Sequence, residues 1–240
     1  MRGIRQRPSG MKHWILTLLF LPALASFAAE TPAPAAADAG WVALVDGKSA
    51  TTQAHFTAFG EKAFPAGGWT VEADGSLHGH GGPDLISKES YGDFEMELEW
   101  KVAPGGNSGV FYRIAPMAGE PIYENAFECQ VYGPENMAKC HPVYRPGALY
   151  NLFGNETLAT IKPVGEWNTV RIEAKGGHLV HWMNGVKVVD ARLDSPAYAA
   201  KLARSKFAKV AGYGTQKAGP IGLQSDGGEV WYRNVRIRGI

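Results

Sequence analysis

The chain has 240 residues, with 24 Lys+Arg against 23 Asp+Glu and a formal net charge of +1. That balance excludes the basic excess of a nucleic-acid binder, and 45% hydrophobic with 20% charged residues excludes a disordered chain. With 30 Gly, 15 Pro, 7 Trp, 9 Tyr and 10 Phe, the composition points to many turns joining aromatic-rich strands, in a chain long enough to build a core without a metal or disulfide staple.

Residues 1–28 read as a signal peptide. Arg2, Arg5, Arg7 and Lys12 form a positive start, and Trp14 to Ala25 is an uncharged apolar run too short to span a bilayer comfortably. Ser26-Phe-Ala28 offers small residues where a signal peptidase reads, and Met11 is an alternative start. Residues 29–40 are a Pro/Ala-rich linker with nothing to pack. The folded domain is expected over 41–240, in a secreted or periplasmic protein with no membrane segment once the leader is cleaved. Cys129 and Cys140 flank a turn containing Gly133 and Pro134. An oxidising compartment allows a disulfide there; the other reading is one buried strand thiol and one free loop thiol.

From Trp41 onward the pattern is strand after strand. Trp69-Thr-Val-Glu-Ala73, Asp74-Gly75 and Ser76-Leu-His78 form a hairpin signal, and Asp84 to Ser87 is a short apolar piece. Asp93 to Val102 alternates strictly: Phe94, Met96, Leu98 and Trp100 share one face, Glu95, Glu97 and Glu99 the other. The face of Glu95 and Glu97 reads as solvated, because three unpaired buried carboxylates would be costly; Glu99, beside Trp100, is a minor site candidate. Ser108 to Ile114 follows the turn at Gly105-Gly-Asn107, and Ala126 to Tyr132 places Glu128 and Gln130 opposite Phe127, Cys129 and Val131. Thr169–Ala174 and His178–Met183 pair around Gly176-Gly177, and Asn184-Gly185 turns into Val186–Asp190. Ala197 to Lys209 is the one helical candidate, and a hairpin through Asp226-Gly-Gly228 closes the chain. A dozen short strands in one domain predict an all-β, antiparallel sandwich of two sheets.

Several segments then occur in a telling order: Leu44-Val-Asp-Gly-Lys48, Tyr91 to Trp100, Gly105 to Arg113, Tyr123 to Gln130, Gly147-Ala-Leu-Tyr150, Lys162 to Asn168, Trp182 to Val186 and Gly219 to Gln224. Together they resemble the 3-keto-disaccharide hydrolase domain family, over Trp41 to Ile240. The resemblance implies a concanavalin A-like jelly roll and hydrolysis of sugars already oxidised to a ketone at C3 by a separate sugar oxidoreductase. Two places depart from the pattern: Lys139-Cys-His-Pro-Val-Tyr-Arg145, and Ser225-Asp226, where a His is expected near the Gln.

In such a sandwich an outer sheet face can hold a sugar. Glu128 is the candidate base, Arg113 the electrostatic stabiliser, and Glu124 or His141 the donor to the leaving group. Asn107, Phe111, Gln130, Gln224, His141 and Trp231 are candidate substrate contacts. Read without the resemblance, Glu124 and Glu128 are ordinary strand carboxylates with Arg113 as a cross-strand partner, and Trp231 a packing residue. His78, His80, His141, His178 and His181 supply imidazoles but no complete ligand set; no cofactor is evident, and a divalent metal stays open. No P-loop, GxSxG, HExxH or EF-hand pattern occurs. The competing function is a non-catalytic carbohydrate-binding module on the same fold. A retaining glycosidase fits less well, since the next same-face residue after Glu128 is Gln130 rather than a second acid.

Overall fold

The structure, a computed structural model, describes residues 40–116, 121–133, 135, 137, 139–157 and 161–240. The leader and all but the last residue of the linker lie outside the described residues, as does Pro134. Among the described residues the strands are β1 (Val42–Val45), β2 (Phe56–Ala58), β3 (Trp69–Val71), β4 (Leu77–Gly79), β5 (Leu85–Tyr91), β6 (Phe94–Val102), β7 (Asn107–Tyr112), β8 (Phe127–Tyr132), β9 (Asn168–Lys175), β10 (His178–Met183), β11 (Val186–Arg192), β12 (Gly219–Leu223) and β13 (Val230–Gly239). They form an eight-stranded sheet in the order β11-β10-β9-β6-β13-β4-β3, with β1 also on β13, and a five-stranded sheet β2-β5-β12-β7-β8. This is the expected antiparallel sandwich. No described helix is long and apolar enough to cross a membrane.

The core lies between the sheets. Phe94, Met96, Leu98 and Trp100 enter it from β6, and Val110, Tyr112, Phe127, Cys129 and Val131 from the opposite sheet. Period-two alternation therefore decides what the outer faces carry.

On the outside of the larger sheet, the glutamates of β6 are not simply solvated. The register sets Glu95 opposite Arg238, Glu97 opposite Arg236 and Glu99 opposite Arg233. Arg233 donates to Glu99 at 3.0 and 2.7 Å, and Arg236 to Glu97 at 3.0 and 2.7 Å. Glu95, buried, lies between Arg238 and Arg171. The arginines stand at 233, 236 and 238, not at strict alternation. A register shift between Arg233 and Arg236, where Asn234 has φ 51°, absorbs the extra residue and keeps all three on one face. Glu99 thus serves this ladder and leaves the site candidates.

The single expected helix is shorter than its composition suggests. Among the described residues there are two short α-helices, α1 (Ser49–His55) and α2 (Pro196–Leu202). Ser195 caps α2 by accepting from Tyr198 N, with Pro196 at the first helical position. Ser205 ends it: its hydroxyl donates to Leu202 O at 2.8 Å and accepts from Phe207 N at 3.1 Å. These bonds compete with the helical ladder, so 203–210 runs on as turns and Phe207 drops into the core.

Cys129 and Cys140 are both free thiols. Cys129 faces the core and Cys140 lies in a loop on the other side of β8, so the wall of the sheet separates them.

At the β10–β11 hairpin, Asn184 and Gly185 both have positive φ, 47° and 81°. That is the type I′ turn expected from Asn-Gly. A Cβ on Gly185 would meet nothing within 4 Å, so only backbone strain opposes a side chain there. Gly185→Val is expected to cost on the order of 1–3 kcal/mol in urea unfolding, with no change at the cleft described below.

Candidate active site

The outer face of the smaller sheet carries a cleft of about 570 Å³. Its floor follows from alternation. On β8, Glu128, Gln130 and Tyr132 point away from the core; on β7, Asn107, Gly109 and Phe111 do. The register sets Asn107 opposite Tyr132, Gly109 opposite Gln130 and Phe111 opposite Glu128. Gln224, just past β12, joins them by donating its backbone N–H to Gly109 O at 3.0 Å. Tyr123, Cys140, Tyr144, Tyr150, Lys206 and Asp226 supply the walls.

Glu128 is 4% exposed, and no described side chain or N–H hydrogen-bonds its carboxyl. Gly109 makes the room: a Cβ there would stand 2.5 Å from Glu128 Oε1. Burial pushes the Glu128 carboxyl up to about 8; Lys206 opposes the shift, and Asp226 and Asp84 add to it. Asp84, which accepts from Ser225 N at 2.9 Å, is itself raised, again chiefly by burial. Beside Glu128 runs a polar chain: Gln130 Nε2 donates to Asn107 Oδ1 at 3.0 Å, and Asn107 Nδ2 to Asp226 Oδ2 at 2.9 Å. Gln130 Oε1, buried, has no partner among the described residues, leaving an acceptor for a hydroxyl.

The segment after β8 folds back along it. Gln130 N donates to Ala148 O, Gly147 N to Gln130 O, and Tyr150 N to Glu128 O at 3.0 Å. These bonds satisfy the edge of β8 and hold Tyr150 over the cleft. Arg145 braces the loop from within, donating to Cys140 O at 3.0 Å and Asn155 O at 3.2 Å. Segment 139–145 is thus a folded wall that puts Lys139, Cys140 and Tyr144 at the cleft.

The structure brings together Glu128, Gln130, Asn107 and Gln224, and it moves the other candidates elsewhere. Arg113 is not at the cleft. It follows β7 with φ 51°, and this left-handed residue breaks the alternation that would have kept it on the face of Phe111. Its buried guanidinium instead donates to Gly176 O at 2.8 Å and Asp93 Oδ1 at 3.2 Å, tying the end of β7 to the β9–β10 turn and to the connection from β5 to β6. Phe111 lies on the cleft side of β7 but is fully buried with Ile114, Ile122 and Ala126. It is packing beneath the site rather than a substrate contact. Glu124 ends a 3-10 turn, Ile122–Glu124, that offers Tyr123 to the cleft and leaves Glu124 outside its lining. His141 is exposed, accepts from Val143 N to start the Pro142–Tyr144 turn, and does not line the cleft.

Trp231 is on the other side of the molecule, since Tyr232 enters the core from β13. Its ring stacks on His78, centroids 4.3 Å apart. His181 is buried between Tyr112 OH and Gly147 O, and desolvation holds it neutral with a pKa near 4. His178 pairs with Asp190, and His80 meets Thr70. Among the described residues no group of three His, Cys, Asp or Glu side chains is placed to hold a metal.

One residue that the sequence did not single out stands at the cleft. Lys206 Nζ lies 4.0 Å from the Tyr123 ring centroid, 4.3 Å from Tyr150 and 5.2 Å from Phe207. Read as part of a helix over 197–209, it is one more lysine beside Lys201 and Lys209. Only the early end of α2 turns it inward.

A β-sandwich with a polar, aromatic-walled cleft on one outer face belongs to the concanavalin A-like class of folds. The profile of the 3-keto-alpha-glucoside-1,2-lyase-like domain family matches residues 40–238, and the chain belongs to that family. A 3-keto-disaccharide hydrolase of Bacteroides thetaiotaomicron is 31% identical over 236 residues, covering 83% of this chain and 78% of the relative. A solved candidate glycosyl hydrolase of Parabacteroides distasonis superposes with a TM-score of 0.73 at 25% identity, covering 84% of this chain and 94% of its own. The carbohydrate-binding module CBM66 of Bacillus subtilis shares the fold, with a TM-score of 0.51 at 16% identity over 78% of this chain and 97% of its own.

The Glu128 carboxyl has a pH consequence. Its folded pKa of about 8 lies above its ordinary value of 4.5, so the folded state prefers it protonated. That stability is fully present below about 4.5 and is lost as pH rises through 8. Glu128→Gln stays neutral throughout. The variant is expected to be more stable than wild type at pH 9, by up to a few kcal/mol, with the difference closing toward pH 5 in denaturant unfolding.

Proposed function

We propose that the cleft cleaves the glycosidic bond of sugars that carry a ketone at C3, 3-keto-disaccharides or 3-keto-glycosides. Family membership and the relative of that name support the substrate class. The observation that carries the mechanism is Glu128: a buried carboxyl without a hydrogen-bonding partner among the described residues, whose pKa of about 8 makes its ionised form a strong base.

The ketone acidifies the hydrogen on C2. Ionised Glu128 takes that proton, and the C2–H electron pair forms the enolate of the C3 carbonyl. The enolate collapses: a C1–C2 double bond forms, the C1–O bond breaks, and the leaving oxygen takes a proton from water. The hydroxide left by that water adds to C1 of the enone and C2 takes back the proton held by Glu128, so the base is ionised again and the net change is hydrolysis. This path avoids the oxocarbenium chemistry that needs two carboxylates about the scissile bond. Gln130, Asn107 and Gln224 fit the part of hydroxyl contacts, and the ketone must be made by a separate sugar oxidoreductase.

The test is to incubate the protein with a disaccharide and with its C3-oxidised form. Monosaccharide release is expected from the oxidised sugar alone. Because the base must be ionised, kcat/KM is expected to rise with pH through about 8. Glu128→Gln is expected to lower turnover by about two orders of magnitude while sugar binding survives. Equal release from the unoxidised sugar, or wild-type turnover by the variant, overturns the reading. Binding of both sugars with release from neither makes the chain a carbohydrate-binding module.

We also infer export to the periplasm or beyond, supported by the basic start and apolar run of residues 1–28. Mass spectrometry of the native protein is expected to find an N-terminus near Ala29, and an intact Met1 or Met11 terminus in the cytoplasm contradicts it.

A further inference from the structure

With Arg113 committed to the other end of the sandwich, the cleft needs another source of positive charge if Glu128 is its base. Among the described residues two lysines line it, both with solvent exposure: Lys139 on the loop wall and Lys206 after α2, which is the one held in place. Its backbone N–H donates to Asn151 Oδ1 at 2.7 Å. The next residue, Phe207, is buried and stacks on Tyr213 at 4.1 Å between centroids, nearly parallel. The stem of Lys206 is thus fixed on both sides. Its ammonium rests against Tyr123 and Tyr150, rings that attract a cation by their quadrupoles but take no proton from it.

Lys206 has no salt bridge to any described carboxylate. Its charge nonetheless acts on Glu128, Glu124 and Asp226, and theirs on it. Desolvation pulls its pKa below the ordinary lysine value, and these three acids push back. So an unpaired ammonium and an unpaired carboxyl line one cavity without closing on each other. A directly bonded pair would be a structural tie. An open pair leaves space for a substrate between the base and the charge that its action creates.

Building on the reading of Glu128 as base, we propose that Lys206 is the electrophilic partner of the site: its ammonium, held on Tyr123 and Tyr150, meets the oxygen that becomes negative when Glu128 removes the neighbouring proton. The lysine keeps its proton throughout. It stabilises the enolate oxygen by charge and hydrogen bonding and is restored when the carbonyl re-forms. The ligand it selects is a sugar with a carbonyl oxygen one carbon from the C–H that Glu128 attacks. A fully hydroxylated sugar puts no anion there and gains little from it.

Glu128 is faced by Lys206 after α2, by Asp226 in the β12–β13 turn, by Asp84 ahead of β5 and by Tyr150 on the loop wall. Lys206 is the only cation among these, so its removal has a defined sign.

The experiment compares wild type with Lys206→Met, Lys206→Arg and the exposed control Lys209→Met, with folding checked by circular dichroism. Glu128 is titrated without substrate by 13C NMR, and kcat and KM are measured on a 3-keto-disaccharide. Lys206→Met is expected to move the Glu128 titration upward by about half a pH unit to one unit. It is also expected to lower kcat about 100-fold with KM changed less than about fivefold, because the charge acts on the transition state more than on the bound sugar. Lys206→Arg is expected to keep the titration and recover part of kcat; Lys209→Met is expected to match wild type in both. Wild-type kcat in Lys206→Met, or a loss of kcat with the Glu128 titration unmoved, overturns the role of Lys206 and leaves Glu128 as base standing. A wild type that does not cleave the 3-keto-disaccharide at all is a different result, which overturns the substrate reading itself.

Discussion

Strands β7 and β8 are walls with two sides, and the alternation of their side chains governs the rest of the molecule. Every second residue must fill the space between the sheets, where Val110, Tyr112, Phe127, Cys129 and Val131 are buried. The residues between them have no choice but the outer face. This places Glu128 and Gln130 at a cleft with the rigidity of the core behind them. The same wall keeps Cys129 from Cys140. It also explains Gly109, whose missing side chain leaves the space that the Glu128 carboxyl occupies.

The outer faces of the two sheets solve the same electrostatic problem in opposite ways. On the larger sheet, carboxylates are neutralised by arginines directly across the strand, and the arginines in turn lie on tryptophans: Arg171 on Trp182, Arg233 on Trp167, Arg236 and Arg238 on Trp41. The three β6 glutamates are all paired there, and the face is a structural skin. On the smaller sheet, Glu128 is buried without an arginine and Gln130 keeps an unmet acceptor. Leaving a carboxyl so placed costs stability at neutral and alkaline pH, and sites of chemistry are where such costs are retained.

Loops finish what the strands begin. The segment 147–150 closes the edge of β8 and brings Tyr150 above Glu128, while Arg145 gives the preceding loop an internal brace. On the far wall, Ser205 stops α2 after Leu202 and Asn151 accepts from Lys206 N, so the chain delivers an ammonium where a longer helix would have sent it to solvent.

The sequence by itself determined the sandwich and half of the site. Strict alternation in Asp93–Val102 and Ala126–Tyr132 is a local signal, and it assigned Phe127, Cys129 and Val131 to the core and Glu128 and Gln130 to the other face. Asn184-Gly185 marked its turn because Asn-Gly is one of the few dipeptides that suit two successive positive φ angles. What the tertiary structure decided depends on partners far along the chain. Arg113 left the cleft because one left-handed residue reversed its side chain toward Asp93 and Gly176. Trp231 went to the opposite face, because which sheet β13 joins is set by pairing with β6 and not by its own pattern. The glutamates of β6 found arginines more than 130 residues away through a bulge at Asn234 that no period predicts. Lys206 reached the cleft because burial of Phe207 outweighed the helical propensity of its neighbours. Local spacing reports which face a residue occupies; what stands opposite that face is a matter of packing between distant segments.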